Sequence, residues 1–222
     1  MELLRTDIHA HLVPAVDDGS RGPADTVEML RGLVALGVER VHATPHQFRF
    51  RNEFTVEELE GQAATVRLLA REAGLEIEIV AGAEHYFSER LLDAVQSEEP
   101  LCTFDSAGET HLLIELPLNQ PAAGVRRMGS LLVGRGIRPV MAHPERLVPR
   151  FASIERIRDW IAHGWKLQLN LPSLAGGHGL EAEAAARELI AAGEYAFTGS
   201  DLHRPSELDA LMRARRVLAS FV

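Results

Sequence analysis

The chain has 222 residues, 46% hydrophobic and 25% charged, enough for a sizeable core, and one soluble domain spanning 1–222 is expected. A net charge of -9 argues against a nucleic-acid scaffold, whose affinity would rest on an excess of Lys and Arg along one face. No apolar run approaches the roughly 20 residues of a membrane span, and the N-terminus lacks a basic-then-apolar leader pattern. No membrane insertion is therefore expected, and a cytoplasmic chain starting near Met1 is.

In chain order, the apolar run from Leu3 leads into Asp7, His9 and His11 and then the Asp17-Asp18-Gly19 turn. An extended chain turns residues i and i+2 to one face, so His9 and His11 can meet one ion, and Asp7 shares that face. Helical spacing of Val27, Leu30, Leu33 and Val34, with Pro23 in the first turn, predicts a helix over 23–36 that stops at Gly37. Val38 to Thr44 reads as a strand, followed by Pro45 and His46. Thr55 with Glu58 forms a capping-box pattern opening a helix to Gly74. Leu75 to Ala81 is the third strand, closing on Glu84.

A helix over 88–95 and an irregular connection through Pro100 and Gly108 precede a fourth strand, His111 to Leu116, carrying Glu115. A helix ending at Gly136 leads to the strand 137–142, with His143 next. The helix 154–162 stops at Gly164, and the strand 165–169 ends at Asn170. The helix 181–192 stops at Gly193, the strand 195–198 is followed by Asp201 and His203, and a helix from Pro205 to Ala219 ends the pattern. Gly37, Gly74, Gly136, Gly164 and Gly193 each separate a helical run from a β run, as left-handed helix stops do. Seven strand–helix units without a midpoint break predict an α/β fold with a seven-stranded (βα)7 barrel, a doubly wound sheet being the alternative. No dinucleotide or Walker pattern follows the first strand.

Function in parallel barrels collects at the C-terminal strand ends. Here these ends carry His9 and His11, His46, Glu84, Glu115, His143, Asn170, then Asp201 and His203. Any one of them alone is an ordinary solvated or hydrogen-bonded residue. Five histidines and three carboxylates converging on one mouth, with Asp18 from the first loop, make sense as a multinuclear metal site. The single cysteine, Cys102, excludes a thiolate cage, so the ligands are nitrogen and oxygen. His42, His111 and His163 have structural explanations, His85 should point away from Glu84, and His178 in G-G-H-G is read as a turn residue with a flap over the site as the alternative.

The motifs D-I-H-A-H, D-D-G, T-P-H, G-A-E, L-I-E, A-H-P-E-R and G-S-D-L-H, in that order, resemble the polymerase and histidinol phosphatase (PHP) superfamily. Within it they are most similar to the CpsB/YwqE-type tyrosine-protein phosphatases of bacterial capsule and exopolysaccharide systems. The resemblance implies a distorted (βα)7 barrel and three divalent metal ions, manganese by family habit, although iron and zinc also suit such ligands. It implies that His9, His11, Glu84 and Asp201 hold the first ion, Glu84, Glu115 and His143 the second, and Asp18, His46 and His203 the third. Histidines are usual in the histidinol phosphatase branch where Asp18 and Glu115 stand, which favours the tyrosine phosphatase branch. Arg146 matches the arginine that grips phosphate. No second family-type arginine follows His203, so Arg204 is its candidate replacement, and Arg49 and Arg51 in the Q-F-R-F-R-N loop are further substrate-binding candidates.

The expected reaction is hydrolysis of a phosphotyrosine protein, the partner being a cognate bacterial tyrosine kinase. Closely spaced metals lower the pKa of a bridging water to about 7, and the resulting hydroxide attacks phosphorus. Arg146 neutralises the phosphoryl oxygens. His203 or Asp201 assists a phenolate whose pKa near 10 needs little help. A thiol mechanism is excluded, because a C-x5-R loop from Cys102 would need arginine where Gly108 stands. The competing readings are a small-molecule phosphatase of the histidinol phosphatase type, a PHP-type nuclease, and a non-catalytic metal-bound interaction module.

Overall fold

The structure, a computed structural model, describes residues 5–119 and 123–221. The expected start near Met1 and the first apolar residues, Leu3 and Leu4, lie outside them. Alternating strands and helices fill the described chain. The first half comprises β1 (Thr6–Ala10), α1 (Pro23–Ala35), β2 (Arg40–Ala43), β3 (His46–Gln47), α2 (Val56–Glu72), β4 (Glu78–Ala81), β5 (Glu84–Tyr86) and α3 (Glu89–Gln96). The second comprises β6 (Phe104–Ser106), β7 (Glu109–Glu115), α4 (Val125–Gly134), β8 (Ile137–Ala142), α5 (Ile154–Ala162), β9 (Lys166–Asn170), α6 (Leu180–Ala191), β10 (Tyr195–Gly199) and α7 (Leu208–Leu218). Short 3-10 turns follow β8 (Pro144–Leu147) and β9 (Leu171–Ala175).

Local chemistry sets these boundaries. Pro23 occupies the first turn of α1, where no amide hydrogen is needed. Thr55 Oγ1 accepts from Glu58 N at 3.1 Å while Thr55 N donates to Glu58 Oε2 at 2.7 Å, completing the expected capping box. All five expected helix-stop glycines have positive φ, from 66° to 93°. No helix among the described residues is long and apolar enough to cross a membrane.

The strands form two sheets. One has the parallel order β1-β2-β4, and the other runs β10-β9-β8-β7-β5-β3, also parallel, with β6 antiparallel on β7. The chain passes from β2 to β3 through Thr44 and Pro45, and from β4 to β5 through Gly82 and Ala83. Across these joints Gly82 N donates to Ala43 O at 3.0 Å and Glu84 N to Pro45 O at 3.1 Å, so the same two neighbours stay side by side. On the other flank Asp201 N donates to His9 O at 2.8 Å and His11 N to Leu202 O at 3.0 Å, tying β1 to the end of β10. The expected single ring of strands is thus observed as two parallel sheets joined by a few bonds. Proline has no amide hydrogen, which is one reason the ladder breaks at Pro45.

The period of two along β7 shows how the strands reach the site. Leu112 and Ile114 turn into the main core with α-helical residues such as Leu30, Leu33 and Leu132. On its opposite face His111 meets Phe104 and Phe197, Leu113 packs with Ile8, Val140 and Ala142, and Glu115 enters the site. One face therefore leads from an aromatic floor through an apolar layer to a carboxylate.

Candidate metal centre

Strand ends and the loops after them bring nine ligand-type side chains together. His9 Nε2 and His11 Nε2 lie 3.2 Å apart, and Glu84 reaches them at 3.3 and 3.4 Å with its two oxygens. The register of β1 on β2 is irregular between Asp7 and Ala10, a local break of the kind that re-aims side chains near sites. Asp201 Oδ1 stands 3.4 Å from His9 Nε2 and 3.5 Å from His11 Nε2. His46 Nδ1 is 2.8 Å from Glu84 Oε2, His143 Nε2 is 3.1 Å from Glu84 Oε1, and Asp18 Oδ1 is 3.3 Å from His46 and 3.5 Å from His203. Apart from Asp18 at the surface and the partly buried His203, these side chains are buried.

Among the described residues, four overlapping groups have the spacing of metal ligands: His9, His11 and Glu84; His9, His143 and Asp201; His46, Glu84 and Glu115; and His11, Asp18, His46 and His203. All nine residues that the resemblance implied fall in these groups. Their division differs: Glu115 groups with His46 rather than His143, and His11 joins the outermost set.

The donor set fits cations. Ligand atoms bound to one ion at about 2.1 Å lie about 3.0–3.4 Å from each other, the range observed among His9, His11 and Glu84. His46 Nδ1 and Glu84 Oε2 are close yet out of hydrogen-bond geometry, and both lack a hydrogen-bond partner. Atoms of that kind cost stability unless something else pairs with them.

Electrostatics say the same. Burial would hold His9 neutral and raise Glu84, but Glu84 and Asp201 lift His9 above its ordinary value, while His9 and His46 hold Glu84 well below its own. Burial is likewise outweighed at His46, which Glu84 and Asp18 push to about 9. Burial and the Glu84 charge push Glu115 up to about 7, and burial with Arg146 pushes His143 down to about 4. In the protein alone, histidinium charge balances the buried carboxylates.

Around the cluster stand orienting groups. His11 Nδ1 pairs with Asp17 Oδ2 at 2.8 Å, and the same oxygen accepts from His46 N at 3.0 Å. His9 Nδ1 meets Gln168 Oε1 at 3.0 Å. Such partners fix which ring nitrogen faces an ion. Neither Asp17 nor Gln168 was among the expected site residues. The adjacent aspartates carried a signal, since one of such a pair can serve as ligand and the other as orienter. Asp7 falls in none of the four groups; its Oδ1 accepts from His9 N and Ser200 N, both at 3.0 Å, and its buried Oδ2 has no hydrogen-bond partner.

Arg146 Nη1 donates to Asp201 Oδ2 at 2.8 Å, and Asn170 Nδ2 donates to the same oxygen at 3.0 Å. Arg49 Nη1 donates to Glu115 Oε2, at the edge of the cluster. Among the described residues, neither of the other two arginines pairs with a side chain of the cluster. Arg204 Nη1 donates to the carbonyl of His203, and exposed Arg51 makes no hydrogen bond or ion pair among the described residues.

The remaining histidines are accounted for. His42 and His111 pack on Phe104, His163 Nδ1 meets Asp159 O at 2.7 Å at the end of α5, and His85 Nδ1 meets Leu113 O away from the cluster. His178 is a turn residue that also reaches inward, its Nε2 lying 3.0 Å from Asn170 Nδ2. It borders a cavity of about 360 Å³ with Arg146, Arg150, Leu118 and Pro149. Cys102 packs with Leu59 and Ala83, and burial pushes its thiol up to about 11.

Comparison with known proteins finds metal-dependent phosphatases among the relatives of this chain. The tyrosine-protein phosphatase YwqE of Bacillus subtilis is 28% identical over 205 residues, 89% of this chain and 76% of that protein. The tyrosine-protein phosphatase CpsB of Streptococcus pneumoniae is 29% identical over 164 residues, 74% of this chain and 66% of that protein. A crystal structure from the work on YwqE and CpsB, described as unique metal-dependent tyrosine phosphatases, superposes with a TM-score of 0.85 at 25% identity. It covers 97% of this chain and 86% of that one. The family model for capsular polysaccharide synthesis, CpsB/CapC, matches residues 5–218, and the chain belongs to that family.

Proposed function

We propose that this chain is a metal-dependent protein-tyrosine phosphatase, acting on a tyrosine kinase of a capsule or exopolysaccharide system. The observation that carries the reading is Glu84, whose two oxygens lie within 3.4 Å of His9, His11, His46 and His143, so that a single carboxylate can serve neighbouring ions. With β2 and β3 counted as one interrupted strand, and β4 and β5 as another, the nine parallel strands of the described residues make seven segments, which are read as a distorted (βα)7 barrel forming one PHP-type domain. We assign three divalent ions, manganese first, to His9, His11, Asp18, His46, Glu84, Glu115, His143, Asp201 and His203. The carboxylates at Asp18 and Glu115 favour phosphotyrosine over histidinol phosphate within the superfamily.

Bound there, the ions supply an activated water and positive charge for the phosphoryl oxygens. The chain's own groups do the rest. Arg146, on the turn after β8, offers paired N–H donors to the phosphate while Asn170 keeps hold of Asp201 Oδ2. His203 Nδ1 lies 2.8 Å from the carbonyl of Asp201, and a proton donated there leaves Nε2 as a lone pair facing Asp18. In that tautomer His203 serves as a ligand rather than an acid. A phenolate leaving group, with a pKa near 10, departs without strong protonation.

The test compares hydrolysis of a phosphotyrosine peptide, histidinol phosphate and p-nitrophenyl phosphate, with and without chelator. Metal-dependent turnover fastest on the peptide is expected, and Glu84→Ala should lose metal content and rate together. Equal rates in chelator would remove the metal mechanism, and a preference for histidinol phosphate would move the enzyme to the other branch.

A further inference from the structure

The segment after His46 is built in a way that folding alone does not require. Phe48, Phe50 and Arg51 all have left-handed backbone, with φ of 62°, 54° and 67°. Residues bearing side chains adopt that region at a cost, and such strain persists where the surroundings over-determine it, often at functional sites. Asn52 supplies the constraint. Its amide donates to Arg49 O and its carbonyl accepts from Phe48 N, both at 2.8 Å, while its side chain donates to Val16 O at 3.1 Å and His46 O at 3.3 Å. The loop is thereby fixed to the backbone of a proposed metal ligand.

The constraint holds an aromatic ring out of the core. Phe50 is 55% exposed, and its ring sits edge-on to His46 at 5.3 Å between centroids. Exposure alone means little, since several large apolar residues of this chain are exposed. Position is what distinguishes Phe50. The Arg49 guanidinium lies 4.7 Å from the Phe50 ring centre and 5.2 Å from that of Tyr86, and it reaches Glu115. Phe50, Arg49 and Tyr86 form a continuous wall beside the cluster, flat faces alternating with a planar cation.

We infer that the 48–52 loop is the leaving-group subsite, in which Phe50 packs against the aromatic ring of an aryl phosphate whose phosphoryl group sits at the His46, Glu84 and Glu115 end of the cluster. This rests on the proposed phosphatase reading and adds to it the residue that selects aryl over alkyl esters. A phenyl ring leaving the phosphate gains an aromatic neighbour and area burial on Phe50. An alkyl chain gains less, having no ring to pair with. The wall is preformed, so little ordering is required of the protein when the ring arrives.

The experiment uses the manganese-loaded full chain and two non-hydrolysable probes, phenylphosphonate and methylphosphonate, with affinities measured by calorimetry. Wild type should prefer the phenyl probe. Phe50→Ala should lower the phenyl-to-methyl affinity ratio about tenfold, and Phe50→Tyr, which keeps the ring, should retain it. A ratio unchanged in Phe50→Ala, or lost as fully in Phe50→Tyr, overturns the subsite. Turnover of a phosphotyrosine peptide is measured alongside. If wild type fails to hydrolyse the peptide while the ratio shifts as expected, the activity reading falls and the aryl subsite stands. Turnover with no shift in the ratio means the reverse.

Discussion

Arg146 and Asp201 show how one carboxylate is divided between two tasks. Oδ1 of Asp201 faces His9 and His11, and Oδ2 is held by Arg146 and Asn170. Asp201 and His143 also have left-handed backbone, φ 51° and 36°, so two proposed ligands are presented from costly conformations at strand ends. Because Asn170 still anchors Oδ2, removing Arg146 should spare metal content and act on phosphate binding. Arg146→Ala is expected to lose on the order of 2–4 kcal/mol of transition-state stabilisation, visible in kcat as well as kcat/KM. Arg146→Lys should lose less, since an ammonium replaces the charge but not the planar pair of donors. A surface ion pair would change stability by about 0–1 kcal/mol and leave the rate alone. Steady-state kinetics on a phosphotyrosine peptide with elemental analysis decide it, and unchanged kinetics in Arg146→Ala would return the phosphate grip to Arg49.

At the scale of elements, the turn after β8 is pinned by the neighbour of Arg146. Glu145 is fully buried, its Oε1 accepting from Asn170 N at 3.1 Å and Ser173 Oγ at 2.8 Å, and its Oε2 from Tyr195 OH at 2.9 Å. It thereby ties β8, β9 and β10 beneath the site and makes no pair with Arg146. Burial pushes its carboxyl from 4.5 up to about 7, so the folded state holds the proton more tightly than the unfolded chain. Wild type should lose stability as pH rises from about 4.5 to 7, by up to about 3 kcal/mol, and no more from this group above that. Glu145→Gln has no such proton. Its stability relative to wild type, measured by urea denaturation in chelator, should climb between pH 5 and 7.5, and parallel pH curves would contradict the assignment. The helix–glycine–strand units and the ligand-type residues at strand ends were legible in sequence because their signals are local and periodic. Residues 104–106 were read as irregular connection, yet form β6 on β7. Their two-residue turn is Ala107-Gly108, both at positive φ, without the Asn-Gly or Asp-Gly usual in such hairpins. Asp17 and Gln168 were missed for another reason: an orienting partner is defined by the ring it meets, and Gln168 lies 159 residues from His9.

For the molecule as a whole, the two sheets converge on a buried set of histidines and carboxylates whose charge must be balanced with or without metal. Without ions, raised histidines do the balancing, His46 reaching about 9 against an ordinary 6.5 and His11 also lying well above that value. A histidine with a raised folded pKa contributes stability that is complete below pH 6.5 and is lost as pH passes through the folded value. Metal ligation requires the same nitrogens unprotonated, so the loaded protein does not depend on that proton. Chelated protein should therefore weaken between pH 6.5 and 9 while manganese-loaded protein does not. The contribution of His46 alone is about 3 kcal/mol, which for a chain of this size moves Tm by about 6–12 °C. Added to this is the direct stabilisation by bound ions, about 2.7 kcal/mol for one site at a hundredfold excess over Kd. Melting curves with and without chelator at pH 6.5, 7.5 and 9 give the comparison. The gap in Tm should widen steadily with pH, and Glu84→Ala, lacking the central carboxylate that raises His9 and His46, should show neither the gap nor its pH dependence. A gap that stays constant would mean that the cluster is neutralised by something other than its own histidines.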